Sequence, residues 1–394
     1  MLSKSDIDIV KSTIPLLEEG GSSITDHFYK RMFKHHPEVK HIFNISNQHN
    51  GRQKVALIEA IIGYAKNIED LSTIKTVVEK IAHKHTSFNI QPEHYKIVGL
   101  HFIETLRELL GKLFTQEVEQ AWLHAYQVLA SIFINREHEL YQNNLASNGG
   151  WTGKRAFKIV EKNVESDLVT SFVFSPVDMQ PVIDYKPGQY VGVEVADKNF
   201  PYTEIRQYSL SNTPNGKDYR ISVKKELLPQ PGLVSNYLHD QLAIGDIIDL
   251  YAPAGDFFFA NKNKPVVLVS AGVGVTPMQA MLEYKASIAY QQPVYYLHAC
   301  ENEQQHSFKV RTNDICQSLN WHAHTWYNEG LDSSTNNTHK GLMDFSAVDL
   351  PLEDADFYLC GPVGFMKYAK QSLVDLGVEP NRVHYEVFGP HDNF

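Results

Sequence analysis

The chain has 394 residues, 43% of them apolar and 21% charged, which is too long for one hydrophobic core and too apolar for extended disorder; two or three domains are expected. Its net charge of −10 is uneven, with 16 Lys+Arg against 17 Asp+Glu in residues 1–146 and 20 against 29 in the remainder, and the acidic second half argues against nucleic acid or an anionic membrane as the main partner. Three cysteines (Cys300, Cys316, Cys360) without CxxC spacing make neither a disulfide framework nor a zinc site and suit a reducing cytosol, while no stretch is apolar enough to span a bilayer and the start, MLSKSDIDIVKSTIPLL, is unlike a signal peptide.

Residues 1–142 read as all helix, because apolar residues recur at three- and four-residue spacing. Pro15, Pro37 and Pro92 are expected near helix starts or ends. In the helix from about Ser22, Tyr29 shares a side with Thr25 and Phe33, where a tyrosine ordinarily belongs to the core. From Gln53 to Ile68, Gln53 lies one turn before Leu57 and Leu57 one turn before Ile61, so an amide heads an apolar stripe; an exposed first-turn residue would look the same. In TVVEKIAHKHTSF, Val78, Ile81, Ala82 and His85 share one face, and His83 points away toward water. A lone core histidine is more often a hydrogen-bonded residue than a ligand, yet a buried imidazole is what a haem iron needs as its axial donor. The last long helix carries Trp122, Tyr126, Leu129, Phe133 and Leu140 on one face, with Glu137 at its border. Taken alone, Glu137 reads as a solvated surface carboxylate; partly buried, it would need a partner such as a histidine N–H.

A polar, glycine-rich linker follows at 143–151. Phe157–Val160, Leu168–Phe174, Tyr190–Val195 and Tyr219–Val223 are short β-rich runs bounded by Pro, Gly and Asn, and predict an antiparallel β-barrel over 152–260. From residue 261 the chain changes to α/β with a parallel sheet: Val266–Ser270, Val294–Ala299 and Phe357–Cys360 are apolar strands with helix-like stretches between them.

Several short motifs in this half point to nucleotides. In VVLVSAGVGVTPMQAML, Gly272 and Gly274 stand at a strand's carboxyl end, where backbone N–H groups and a helix N-terminus suit a pyrophosphate. The pattern is G-x-G-x-x-P, and a plain tight turn would also produce it. Cys360-Gly361-Pro362 ends a second strand and leaves room for a flat ring, although a lone buried cysteine is the commoner case. Arg206-Gln207-Tyr208-Ser209 places an Arg able to hold a phosphate two residues from a Tyr able to stack on a flavin; alone, it reads rather as an edge strand with an exposed Arg.

In order, RQYS, GVGVTP, CGP and the C-terminal Phe388-Gly389-Pro390 resemble the ferredoxin–NADP reductase family over about residues 152–394. That resemblance implies FAD held by Tyr190 of the Pro187–Tyr190 turn, by Arg206, Gln207, Tyr208 and Ser209, by Ser235, and by Val387, Phe388, Gly389 and Pro390. It implies NAD(P)H on Gly272, Val273, Gly274, Val275, Thr276 and Pro277, with Cys360, Gly361 and Pro362 beside the hydride path. One departure is the flavin-phosphate turn, LLPQPGLVSNYLHD, where two prolines precede Gly232 and Ser235; Ser235 and Asn236 remain donors there. Tyr29, Phe43, Gln53, Leu57, His85 and Tyr95 fall along residues 1–142 as in a bacterial globin.

A globin followed by this reductase module resembles the flavohaemoglobins, bacterial and fungal nitric oxide dioxygenases; FNISNQHNG, KIAHKHTSF, YQVLASIFINRE, EIRQYSL, YAPAGDFF, YLCGPVGFM and HYEVFGPH carry the likeness over the whole chain. It implies His85 as proximal ligand of the iron of haem b, Tyr95 and Glu137 as its hydrogen-bond network, and Tyr29 and Gln53 as distal groups that steady dioxygen. Phe43 and Leu57 would shape the haem pocket, and Lys84 and Glu386 would tune the two redox centres. NAD(P)H would reduce FAD, FAD the haem, and O₂ and NO would leave as nitrate. NADH is favoured over NADPH, because CENEQQ after the strand Tyr295–Ala299 offers Glu301 and Glu303 and no adjacent Arg for a 2′-phosphate. A cytoplasmic monomer with no nucleic-acid partner is expected. Two other readings share these residues: an oxygen-binding or sensing globin with an attached methaemoglobin reductase, and a general flavin reductase of quinones, ferric chelates or hydroperoxides.

Overall fold

The computed structural model describes residues 2–43, 52–335 and 337–389, the last few before Leu57 by backbone alone. The chain forms two compact units. One comprises Met1–Ser147, Trp151–Gly153 and Glu194–Ile205; the other comprises Asn148–Gly150, Lys154–Val193 and Arg206–Phe394.

The first unit is helical: α1 (Lys4–His35), α2 (Arg52–Lys66), α3 (Lys75–Thr86), α4 (Pro92–Leu110) and α5 (Gln116–Ala146). Ser3 and Asp6 open α1 with a reciprocal capping box. Pro37 and Pro92 stand at element starts, as expected. Pro15 does not: it lies inside α1, among the buried Val10, Ile14 and Leu17, and the departure from helical dihedrals comes later, at Gly21. Burial of that apolar face offsets the hydrogen bond that Pro15 cannot donate. Helix α5 continues to Ala146, past the start of the expected linker. Its face carries Trp122, whose indole donates to Thr13 Oγ1 at 3.0 Å, and the carbonyl of Ala125, which accepts from the Tyr64 hydroxyl at 2.8 Å. These contacts pull α1, α2 and α5 around one core.

The rest of the chain after the helices forms two six-stranded sheets. The first runs β4 (Glu204–Ser209), β3 (Tyr190–Val195), β6 (Ile247–Tyr251), β1 (Lys154–Val164), β2 (Val169–Pro176), β5 (Tyr219–Lys224). Strand β1 pairs antiparallel with β2 and β6, and β2 with β5. A bridge from Leu210, just after β4, to Ile221 of β5 joins the two edges and curls the sheet toward a barrel. Helix α6 (Leu233–Asp240) and β6 were not among the runs read from the sequence.

The second sheet runs β10 (Thr338–Lys340), β9 (His322–Tyr327), β8 (Val294–Cys300), β7 (Val266–Ala271), β11 (Asp356–Cys360), β12 (Val383–Glu386), and every neighbouring pair is parallel. Leu268, Tyr296 and Tyr358 face α7 (Val275–Ser287) and α8 (Lys309–Ser318). Val267, Val269, Leu297 and Leu359 face α9 (Val363–Asp375). Burial on both faces is why these strands are continuous apolar runs. Chain order reverses at β7, which opens a crevice between the carboxyl ends of β7 and β11.

Candidate redox sites

In the helical unit, α3, α4 and α5 bring His85, Tyr95 and Glu137 together. His85 Nδ1 lies 2.7 Å from Glu137 Oε1 and 2.9 Å from the Tyr95 hydroxyl, which itself donates to the same carboxylate oxygen at 2.5 Å. A carboxylate can only accept, so Nδ1 carries the imidazole proton and Nε2 keeps its lone pair. That is the tautomer a metal ligand needs, with the carboxylate raising its basicity. Glu137 is 3% exposed, against the surface position read from sequence alone. Its border place on α5 turns inward because His85 and Tyr95 satisfy it there. Burial, and then Glu137, raise the Tyr95 pKa, so its hydroxyl stays protonated as a donor. Phe133 packs 5.8 Å from the His85 ring and 6.3 Å from that of Tyr95. His83 does not face open water: its side chain is 14% exposed and pairs with Glu79 at 3.2 Å, one turn earlier. Lys84 sits half-buried between the two histidines.

On α1, Tyr29 is buried among Phe28, Phe33 and Phe43, with ring centroids 5.1, 5.7 and 6.0 Å away. Desolvation raises its pKa, so it too is a proton donor and not a phenolate. Leu57 packs half-buried against the same core. Gln53 belongs to α2, and its side chain lies outside the described residues.

In the second unit, Arg206, Gln207 and Tyr208 are half-buried and Ser209 is buried on β4, which is the edge strand of its sheet. Arg206 is therefore on an edge but is not the exposed side chain that an ordinary edge would give. The Tyr190 ring lies on Gly255, where a Cβ would come within 3.0 Å of it. Ser235 is committed inside its turn: Oγ accepts from Glu226 N–H and donates to Gly232 O, each at 3.3 Å. Asn236 Nδ2 likewise donates to the carbonyls of Glu226 and Gly232 at 2.7 and 2.8 Å. Val387 is buried, Phe388 is exposed, Gly389 has φ +117°, and Pro390 lies outside the described residues.

GVGVTP and CGP meet at the crevice. Gly272 adopts φ +51° and Gly274 packs so tightly on Cys360 that a Cβ there would overlap the Cys360 carbonyl. Val275, Thr276 and Pro277 form the buried first turn of α7, and Thr276 Oγ1 donates to Val273 O at 3.0 Å. Gly361 packs on Ala271, and Pro362 caps α9. Cys360 is fully buried, which pushes its thiol pKa up and makes it an apolar wall, not a nucleophile. Glu386, buried on β12, sits beside Cys360 in register. At the end of β8, Glu301 Oε1 accepts from Asn328 Nδ2 at 2.9 Å, and Lys309, six residues on, pairs with Glu303 at 2.5 Å.

The chain matches the models of three families: Globin over residues 26–133, Oxidoreductase FAD-binding domain over 156–259, and Oxidoreductase NAD-binding domain over 268–371. A protein of Vibrio cholerae serotype O1 named flavohemoprotein is 53% identical over 393 residues, 99% of each chain. The chain belongs to the flavohemoprotein family. Its structure is similar to a crystal structure of flavohemoglobin from Malassezia yamatoensis with bound FAD and heme (25% identity, TM-score 0.88, covering 98% of this chain and 100% of that one). It is also similar to the FAD/NAD binding domain of nitric oxide dioxygenase from Vibrio cholerae O1 (50% identity, TM-score 0.57, covering 60% of this chain and 99% of that one).

Within the family's frame, the residues fit the groups their models name. His85 offers a fixed Nε2 donor, Gly272 takes a backbone conformation that favours glycine, and Gly274 lies where a Cβ would strike the Cys360 carbonyl. Sequence reading missed Gly99, where a Cβ would collide with the Tyr126 ring. That space lets the Tyr126 hydroxyl reach the Tyr95 carbonyl at 2.6 Å. In the Pro187–Tyr190 turn, the packing of Gly188 on the Phe257 carbonyl and Met281 was likewise not read from the sequence. A glycine's need for space is a property of its neighbours in three dimensions, so no spacing rule signals it.

Proposed function

We propose that this chain is an NAD(P)H-dependent nitric oxide dioxygenase, with haem b in residues 1–142, FAD in 152–260, the nucleotide in 261–394, and 143–151 as the joint. The observation that carries the reading is the convergence of His85 and Tyr95 on the buried Glu137 carboxylate in a chain that also holds the GVGVTP–CGP crevice. A reductase alone has no use for an imidazole held in the donor tautomer; an oxygen-binding globin with an attached reductase would carry both features, and nitrate formation is what separates it from the dioxygenase.

When bound, the flavin takes electrons in pairs and releases them singly, and the haem supplies the iron at which dioxygen and nitric oxide become nitrate. The protein's part is position and electrostatics. Glu137 holds His85 in one tautomer and strengthens it as a donor. Tyr29, kept protonated by burial, donates a hydrogen bond on the distal side, with Gln53, Phe43 and Leu57 completing the pocket. Arg206, Gln207, Tyr208, Ser209, Tyr190, Ser235, Val387, Phe388, Gly389 and Pro390 bind the flavin. Residues 272–277, with Cys360, Gly361 and Pro362, bind the nucleotide. Lys84 and Glu386 tune the haem and flavin potentials. Because Lys309 is committed to Glu303 and Glu301 is held by Asn328, a 2′-phosphate would meet negative charge, so NADH is the preferred donor. The protein acts as a cytoplasmic monomer; its cysteines are free thiols, which suits a reducing compartment.

The test is rapid mixing of the NADH-reduced protein, in oxygenated buffer, with nitric oxide, with nitrate as the product measured. Stoichiometric nitrate and continuous NADH consumption are expected. Full physiological activity in His85→Ala would instead make the haem a side channel, and absent nitrate would leave an oxygen store.

A further inference from the structure

Helix α7, whose first turn carries the GVGVTP residues, is met by the β-barrel part of the same unit at three alternating positions. Met281 packs on Gly188, and the Lys285 amine nitrogen lies over the ring of Phe259. Between them stands an ion pair. Arg220, on β5 and 8% exposed, donates from Nη2 to Glu283 Oε1 at 2.8 Å. The same guanidinium holds Ser211, donating from Nε to its hydroxyl at 3.1 Å and from Nη2 to its carbonyl. Glu283 Oε1 also accepts from Gln279 Nε2 at 3.0 Å, and Gln279 Oε1 accepts from Thr312 Oγ1 at 2.9 Å on α8.

This chain of bonds has informative ends. Ser211 stands two residues after Ser209 of the RQYS strand, and Glu283 stands two turns after the GVGVTP loop on one continuous helix. A rigid path therefore runs from the flavin-binding strand to the nucleotide-binding turn. Apolar contacts such as Met281 on Gly188 hold two surfaces together but tolerate sliding. A buried guanidinium bonded on both sides does not, because its fork fixes direction as well as distance. Since a buried ion pair adds little net stability over apolar residues of equal size, its contribution here is register.

We infer that the Arg220–Glu283 pair is a positioning device that sets the flavin strand and the nucleotide helix at the separation hydride transfer requires. The inference rests on the proposed reading that NADH reduces a flavin in this unit. In that step the nicotinamide C4–H bond breaks, an N5–H bond forms on the flavin, NADH becomes NAD⁺, and the reduced flavin takes one further proton from solvent. Transfer of this kind is sensitive to misplacement: an ångström can cost about a hundredfold.

The experiment uses the full-length protein purified with its cofactors, as Glu283→Gln, Arg220→Gln and the double variant. Stopped-flow reduction of the flavin by NADH should slow about tenfold in each single variant. The NADH concentration for half-saturation should stay unchanged, the deuterium isotope effect should rise, and the double variant should be no slower than the slower single one. Hydrogen exchange gives the second readout: amides 273–279 and 206–211 should exchange faster while those of β7 stay protected. Wild-type reduction rates in Glu283→Gln, or unchanged exchange at both segments, would overturn the inference. If Arg220→Gln loses its flavin, Glu283→Gln, which is nearly isosteric, decides alone. If NADH fails to reduce the wild-type flavin, the proposed function falls, and the exchange result then judges the ion pair by itself.

Discussion

Oε1 of Glu137 lies 2.7 Å from Nδ1 of His85, in a position where the carboxylate is almost wholly removed from water. Two donors, His85 and the Tyr95 hydroxyl, aim at that one oxygen and offset its removal from water. Glu137→Gln keeps the shape and an acceptor oxygen but removes the charge. His85 should then be a weaker donor, with haem affinity lowered about tenfold, a less negative haem potential and a lower iron–histidine stretching frequency. Spectroelectrochemistry and resonance Raman on the full-length variant check this; a wild-type stretching frequency would show that the carboxylate does not act through His85.

The same network depends on a residue with no polar atoms in its side chain. Gly99→Ala puts a methyl group into the Tyr126 ring, which must move away from the Tyr95 carbonyl. Overpacking of this sort costs about 1–3 kcal/mol. Denaturant unfolding of the variant should show that loss. Gly99→Ala should also release haem faster than wild type, because Tyr95 loses the anchor behind it.

How much of this was legible in the sequence differs from residue to residue. His85 was, because helical periodicity alone puts it on the face of Val78, Ile81 and Ala82, and the structure keeps it beside buried Val78 and Ala82. The parallel strands were, because burial on both faces leaves a run of apolar residues. Glu137 was not: at the border of a helix face, the direction of a carboxylate is decided by residues 42 and 52 positions earlier in the chain. Lys309 escaped for a related reason, since its reach to Glu303 spans a turn that spacing does not reveal. Arg220 sat in a recognised strand, but a strand pattern says nothing about the helix its side chain will meet. Pro15 misled because its usual place is a helix end, and the packing of α1 overrode that preference.

Gly274 is held against the Cys360 carbonyl at the crevice. Gly274→Ala must part β7 from the CGP turn or displace the loop, and either outcome moves backbone donors away from a pyrophosphate. Flavin reduction by NADH should fall about a hundredfold. Reduction of the haem by dithionite should be unaffected, since it bypasses the nucleotide. Stopped-flow measurements with the two reductants separate the outcomes; equal losses with both would mean that the substitution damages the fold and not the crevice.

Lys285 is fully buried on α7, with its Nζ 3.3 Å from the Phe259 ring centroid and 3.8 Å from that of Tyr290, and it has no hydrogen-bond partner among the described residues. Burial lowers its pKa from the usual 10.5 to about 6, while Asp356, itself paired with Lys262 at 3.1 Å, opposes that shift. The sign of the effect follows from linkage. The unfolded chain binds a proton on this amine below about pH 10.5, whereas the folded protein binds it only below about pH 6, so stability falls as pH is lowered across that window. At pH 7 the native state therefore bears most of the cost of keeping the amine neutral. Lys285→Met removes that cost and fills the same space. It should stabilise the second unit at pH 7 by ~2 kcal/mol, and the gain should shrink as pH approaches 10. Thermal unfolding of wild type and variant at pH 7, 8.5 and 10 measures it; a gain that stays constant with pH would mean that Lys285 is charged in the folded protein and held by the aromatic rings.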